Sequence, residues 1–156
     1  LAPVHHHAEM VNFTISSLEY LATHGPPGCE NRPGEAKIFI GGDSSGGGLA
    51  YSTLLYVHNG KKLINKRKDN ISGAFFYSPW VNLMCNSATY LSKSGYTQGN
   101  KLNTGDILYK ADKASNYSAY DVSSDFQEVA KHYIGADESM LIDPFASPYY
   151  ATSEVL

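Results

Sequence analysis

Ser44 stands at the centre of a Gly-x-Ser-x-Gly pattern, formed by Gly42-Asp43-Ser44-Ser45-Gly46. An apolar run precedes this pattern and a helix-like run follows it, which is the setting of a nucleophile elbow. In such a turn the serine takes a strained backbone conformation, and the two glycines remove Cβ atoms that would clash. The hydroxyl then lies exposed at a helix N-terminus, where backbone N–H groups and the helix dipole favour negative charge. The pattern therefore predicts acyl transfer with Ser44 as the nucleophile.

This chemistry requires further groups around the serine. We expect the backbone N–H of Ser45 to donate to the developing oxyanion, a contribution of about 3–4 kcal/mol per donor in serine hydrolases, and Asp43 to shape the elbow. A serine hydroxyl also needs a histidine base and a carboxylate that orients it. His58 lies about 20 Å along the predicted helix, and His132 lies in a later amphipathic helix. Neither is placed to serve as the base.

Other site classes fit the sequence poorly. A phosphate-binding loop needs Lys and then Ser or Thr after its last glycine, but Leu49 follows here. The run His5-His6-His7 is best explained as the opening of the first helix, because adjacent residues cannot share one helix face. Weak adventitious metal binding by this run stays open. We expect no metal site and no cofactor.

Composition sets the broad class. With 156 residues, 42% hydrophobic and 17% charged, the chain suits one globular domain. Its net charge of −3 gives no reason to expect nucleic acid as a partner, and no apolar run approaches the roughly 20 residues of a membrane span. Cys29 and Cys85 could be thiols or one bridge, and the cellular compartment stays open, with the cytoplasm slightly favoured.

The elements that must position Ser44 alternate between helix and strand. Apolar spacing predicts a helix over about 7–24, a strand over about 36–41, a helix over about 45–58 and a strand over 71–77. This order predicts a right-handed crossover and a parallel pair of strands. Strand 71–77 is nearly continuously apolar, as in a sheet covered on both faces. A helix is also expected at 104–114.

A last helix is predicted from Ser124, whose spacing to Gln127 fits a capping box, and Gly135 would end it. Its expected apolar face comprises Phe126, Val129, Ala130, Tyr133 and Ile134. Trp80 follows the second strand. It could line an acyl pocket, but packing beneath that pocket is the stronger interpretation, because most aromatic side chains lie in the core.

Four ordered motifs resemble the hormone-sensitive-lipase-like branch of the α/β-hydrolases. The elbow Gly42–Gly47 looks like the family's G-D-S-A-G-G, with Ser45 where Ala is typical. The family's L-A-P-E-H, S-P-W-V-D-L and D-P-x-x-S-P-L-Y-A motifs are matched by Leu1–His5, Ser78–Leu83 and Asp143–Ala151. The chain departs from the pattern at Val4 for Glu and at Asn82 for Asp, and His6 and His7 disturb the usual Pro and Phe positions.

The resemblance implies an α/β-hydrolase fold, a mostly parallel sheet flanked by helices, of which residues 1–156 are the central portion. It implies an esterase acting on small-molecule or lipid esters through an acyl-enzyme on Ser44. The H-G-G-G loop should precede Leu1, the triad acid and histidine should follow Leu156, and Asp143 is not the triad acid. Completion by missing sequence or another chain is therefore expected, and the isolated segment should be inactive and expose apolar faces. The alternative is a catalytically inactive relative that binds or interacts.

Overall fold

Helices and strands alternate along the chain. The computed structural model describes residues 2–28, 37–60, 71–88 and 119–155, with the side chains of 119–125 excepted. The elements are α1 (His7–His24), β1 (Ile38–Asp43), α2 (Ser45–His58), β2 (Ile71–Tyr77) and α3 (Ala119–Ile134). Two short 3₁₀ helices follow, Glu138–Leu141 and Pro148–Tyr150. The predicted bounds of α1, α2 and β2 are confirmed, whereas β1, expected over about 36–41, begins and ends two residues later than expected.

The first core lies between helices α1 and α2 and one face of the sheet. The helical stripe predicted for α1 is buried, and it meets inward residues of the strands and of α2, as expected from its spacing. Its buried members are Val11, Ile15, Leu18, Ala22, Ile38, Ile40, Ala50 and Val57. This packing fixes the direction in which α2 leaves the end of β1.

Strands β1 and β2 run parallel, which confirms the predicted pairing. Ile38 is opposite Ile71 and Asp43 is opposite Tyr77, with one irregularity between Ile38 and Phe39. Because pairing continues to Asp43, β1 runs through the Gly-Gly step and ends directly before Ser44. Both strands therefore end at the same edge of the sheet, beside the elbow.

The second face of this sheet is open to solvent. Phe39, Phe75 and Tyr77 are 63%, 51% and 66% exposed. Within the part of the chain that the structure describes, helices cover one face of the sheet and leave this second face exposed. Large exposed aromatic faces are uncommon on a monomer. The exposure agrees with the expectation that residues 1–156 alone leave apolar faces uncovered.

A second core lies beneath the segment that follows β2. It is formed by Leu83, Ala130, Tyr133, Ile134, Leu141 and Ala146, with Trp80 packed against it. Helix α3 begins at Ala119, so the capping box predicted at Ser124 is wrong. Val129 is 52% exposed and does not belong to the buried face. The helix predicted over 104–114 lies outside the described residues.

Candidate active site

Ser44 occupies a backbone conformation that side chains rarely adopt. It lies between β1 and α2 with φ 54° and ψ −120°. For a residue other than glycine, such a conformation costs about 1–3 kcal/mol and persists only where the surroundings impose it. The strain predicted from the Gly-x-Ser-x-Gly pattern is therefore confirmed.

Three backbone hydrogen bonds impose this conformation. Ser44 N donates to the carbonyl oxygen of Tyr77 at 2.9 Å, and the Ser44 carbonyl oxygen accepts from Trp80 N at 2.9 Å. The same oxygen accepts the first helical bond from Gly48 N at 3.1 Å. The end of β2 and the segment after it thus hold the peptide groups on both sides of Ser44.

Glycines allow the close approach that these bonds require. A Cβ on Gly42 would collide with the backbone of Gly46, and a Cβ on Gly48 would collide with the carbonyl oxygen of Trp80. A Cβ on Gly47 would lie 3.0 Å from Pro79 Cβ. The steric reason expected for Gly46 is wrong, because a Cβ there would meet no described atom within 4 Å beyond its chain neighbours and the backbone of its own helix. Gly48 lies outside the Gly-x-Ser-x-Gly pattern, but like Gly42 it is a position where a Cβ would collide with the backbone.

The side chain of Ser44 is exposed to solvent and makes no cap hydrogen bond to α2. Because the first helical bond is made by Gly48 N, the N–H groups of Ser45, Gly46 and Gly47 have no intrahelical acceptor. The hydroxyl and these donors share the N-terminal end of α2, where an oxyanion is favoured. The arrangement suits a nucleophile and a backbone oxyanion site.

Asp43 and Trp80 help to hold the turn at Ser44 through their backbone groups. Asp43 is the last, exposed residue of β1, and its pairing with Tyr77 leads the chain into the turn. The Trp80 ring is half-buried against Phe126 and Tyr133, with centroid distances of 6.0 and 6.2 Å. These contacts fit the packing interpretation of Trp80. Its buried indole Nε1 has no hydrogen-bond partner among the described residues.

Neither His58 nor His132 makes a hydrogen bond to Ser44 in the ranges of the chain that the structure describes. His58 is the exposed last residue of α2, so the length of that helix separates it from Ser44. His132 is exposed, and its carbonyl oxygen lies 3.1 Å from the Nδ1 of His6. Within these ranges no imidazole hydrogen-bonds Ser44, and no group of three His, Cys, Asp or Glu side chains could hold a metal ion.

Sequence reasoning missed the environment of His7. This first residue of α1 is fully buried, with ring centroids 5.4 Å from Tyr133 and 6.3 Å from Tyr56. Burial lowers the pKa of His7 to about 4, although the carboxylate of Asp143 and the backbone of Phe145 oppose the shift. Burial also raises the pKa of Tyr133 and, together with the Asp143 charge, that of Tyr56. His7 is therefore a neutral core residue at pH 7, which the His5-His6-His7 run did not indicate.

The motif beginning at Asp143 forms a structural loop. The Asp143 carboxylate accepts from Phe145 N at 2.7 Å, and its carbonyl oxygen accepts from Ser147 N at 2.7 Å. The buried Ser147 hydroxyl then contacts the segment after β2, where it accepts from Leu83 N at 3.0 Å. Asp143 thus orders its own loop, and the two motifs pack together.

Strand β1 ends directly before an exposed serine with a strained backbone, helix α2 begins directly after that serine, and strand β2 runs parallel to β1. This arrangement is typical of the nucleophile-elbow class of α/β proteins. A family model described as alpha/beta hydrolase fold matches residues 1–155. The chain therefore belongs to the α/β-hydrolase fold family. The comparisons with curated proteins and with solved structures gave no match. Within the described ranges, no helix has the length and apolar character to cross a membrane.

Proposed function

We propose that this protein is a serine esterase of the hormone-sensitive-lipase-like branch, which cleaves carboxylic esters through an acyl-enzyme on Ser44. The observation that carries the proposal is the backbone of Ser44, with φ 54° and ψ −120° and an exposed side chain. A strained serine at a helix N-terminus is costly, and such strain clusters at sites where it serves a reaction. Membership of the α/β-hydrolase fold family supports hydrolysis as that reaction.

In the proposed reaction, Ser44 Oγ attacks the ester carbonyl carbon while a base removes the hydroxyl proton. The carbonyl oxygen becomes an oxyanion and accepts a hydrogen bond from Ser45 N–H. The C–O bond to the alcohol then breaks, and the base returns the proton to the leaving alcohol. Water attacks the acyl-enzyme in the same manner and releases the carboxylic acid. The base and its carboxylate are expected outside residues 1–156, as is the rest of the oxyanion hole.

The test is covalent labelling of the full-length native protein with a fluorophosphonate, which reacts with activated serines. Mass spectrometry of the digested protein should find the label on the peptide that carries Ser44. Ser44→Ala should abolish labelling, whereas Ser17→Ala removes an exposed hydroxyl on α1 and should leave it unchanged. A folded protein that is not labelled would contradict the esterase and favour an inactive relative that binds small molecules or partners.

The domain boundary is part of the same proposal. We infer that residues 1–156 form the central portion of one catalytic domain, because the open sheet face carrying Phe39, Phe75 and Tyr77 needs a cover. The isolated segment should then hydrolyse little or no ester and have low solubility. Robust ester turnover by the isolated segment, abolished by Ser44→Ala, would show that the base lies within it.

A further inference from the structure

Ser147 is a fully buried serine whose hydroxyl bridges two backbone groups of another segment. Its Oγ accepts from Leu83 N at 3.0 Å and donates to the carbonyl oxygen of Val81 at 3.3 Å. The same carbonyl oxygen accepts from Tyr149 N at 2.9 Å. Residues 147–149 therefore clamp the chain that leaves β2, and the side-chain part of this clamp comes from one hydroxyl.

The clamped segment is the one that holds the elbow. Trp80, directly before Val81, donates its N–H to the Ser44 carbonyl oxygen at 2.9 Å. Gly48, in the first turn of α2, lies so close to the Trp80 carbonyl oxygen that a Cβ would collide with it. A shift of residues 80–83 would therefore be transmitted to both ends of the turn that carries the Ser44 hydroxyl.

The loop that carries Ser147 is itself well fixed. Asp143 accepts from Ser147 N at 2.7 Å through its carbonyl oxygen and from Phe145 N at 2.7 Å through its carboxylate. Because Ser147 is fully buried, bulk water has no access to replace a deleted hydroxyl. Its removal would leave Leu83 N without this acceptor, and an unpaired buried backbone group favours a local shift.

We propose that Ser147 is a positioning residue for the Ser44 nucleophile, acting through Val81, Leu83 and Trp80. This inference rests on the proposed esterase function and deepens it. Displacement of a reacting group by about 1 Å can lower a rate by about a hundredfold. We expect Ser147→Ala to lower kcat for a p-nitrophenyl ester by about tenfold or more, with KM nearly unchanged, because the clamp acts on the nucleophile.

Ser52→Ala is the matched control. Ser52 is also a fully buried serine, on α2 itself, but its hydroxyl has no hydrogen-bond partner in the part of the chain that the structure describes. Both substitutions delete one buried hydroxyl, and only Ser147→Ala breaks the clamp. Ser52→Ala should keep kcat within about twofold of the native value, because deletion of an unpaired buried hydroxyl leaves no group unsatisfied.

Hydrogen exchange supplies a measurement that does not depend on activity. In the full-length native protein, the amides of Leu83, Trp80 and Gly48 should become exchangeable together as denaturant is added. In Ser147→Ala, exchange of the Trp80 and Gly48 amides should accelerate with that of Leu83. Ser52→Ala should leave all three at native rates.

The possible results distinguish a positioning role of Ser147 from a packing role, and both from failure of the esterase proposal. Faster exchange at Leu83 alone, or a folded Ser147→Ala enzyme with native kcat, would overturn the positioning role and leave Ser147 as a packing residue. If Ser147→Ala does not fold, the denaturant series on the native protein decides, because separate opening of Leu83 and Trp80 would also overturn it. Absence of ester turnover in the native protein would refute the esterase proposal, while the exchange data would still test the clamp.

Discussion

Acid should destabilise this protein through His7. The imidazole lies fully buried between Tyr56 of α2, Tyr133 of α3 and the loop that begins at Asp143. Its pKa is about 4 in the folded protein, against an ordinary value of 6.5. As the pH falls through this interval, His7 binds a proton in the unfolded chain but stays neutral in the folded protein. The contribution of neutral, buried His7 to the free energy of unfolding is therefore fully present above pH 6.5 and declines as the pH approaches 4.

The size of this effect follows from the difference between the two pKa values. One pKa unit corresponds to about 1.4 kcal/mol, so the free energy of unfolding should lose about 3 kcal/mol between pH 7 and pH 4 from His7 alone. About 2 kcal/mol of this loss should already be present at pH 5. Since domains are stabilised by about 5–15 kcal/mol, the loss is a large share of the total.

The assay is urea unfolding of the full-length native protein and of His7→Phe at several pH values from 7 to 4. Phe keeps a ring in the site and cannot be protonated, so the variant should lose about 3 kcal/mol less than the native protein over this range. His58→Phe changes an exposed histidine and should follow the native protein. Parallel pH curves for the native protein and His7→Phe would refute the assignment of a buried neutral imidazole.

Two further predictions concern the elbow, both measured by urea unfolding of the full-length protein. Gly48→Ala should destabilise it by about 1–3 kcal/mol because its Cβ collides with the Trp80 carbonyl oxygen. The added Cβ of Gly46→Ala meets no described atom within 4 Å outside its own helix backbone, so this variant should gain up to about 1 kcal/mol from helix propensity. Equal effects of the two substitutions would contradict the packing described. Ser44→Gly should be about 1–3 kcal/mol more stable than Ser44→Ala, since only glycine accepts φ 54° without strain. Equal stability of these two variants would mean that the elbow stores no strain.

Local patterns predicted the core of the elbow well. The apolar spacing that defines α1 and α2 depends on residues within one helix, and the strand–Gly-x-Ser-x-Gly–helix order depends on one turn. The bounds His7–His24, Ser45–His58 and Ile71–Tyr77 agree with those predictions. The strained backbone of Ser44 does so too, because the turn leaves few other conformations to its central residue.

Tertiary contacts account for the features that sequence reasoning missed. The capping box at Ser124 is a local preference, but Gln127 directs its amide to the carbonyl oxygen of Met84 at 2.8 Å while α3 continues back to Ala119. Ser147 contacts Leu83 across the chain, and His7 is buried by α2, α3 and a distant loop. No spacing within a single element indicates such partners.

We propose that ester hydrolysis proceeds through a covalent acyl group on Ser44. This proposal is tested most directly by rapid mixing of the full-length native protein with p-nitrophenyl acetate, acid quenching and mass spectrometry of the digested protein. We predict an acetyl group on the peptide that carries Ser44, located on that side chain by fragmentation, and loss of both acetylation and turnover in Ser44→Ala. Turnover that persists in a folded Ser44→Ala protein, or an acyl group on another residue that forms at the rate of turnover, would contradict the account.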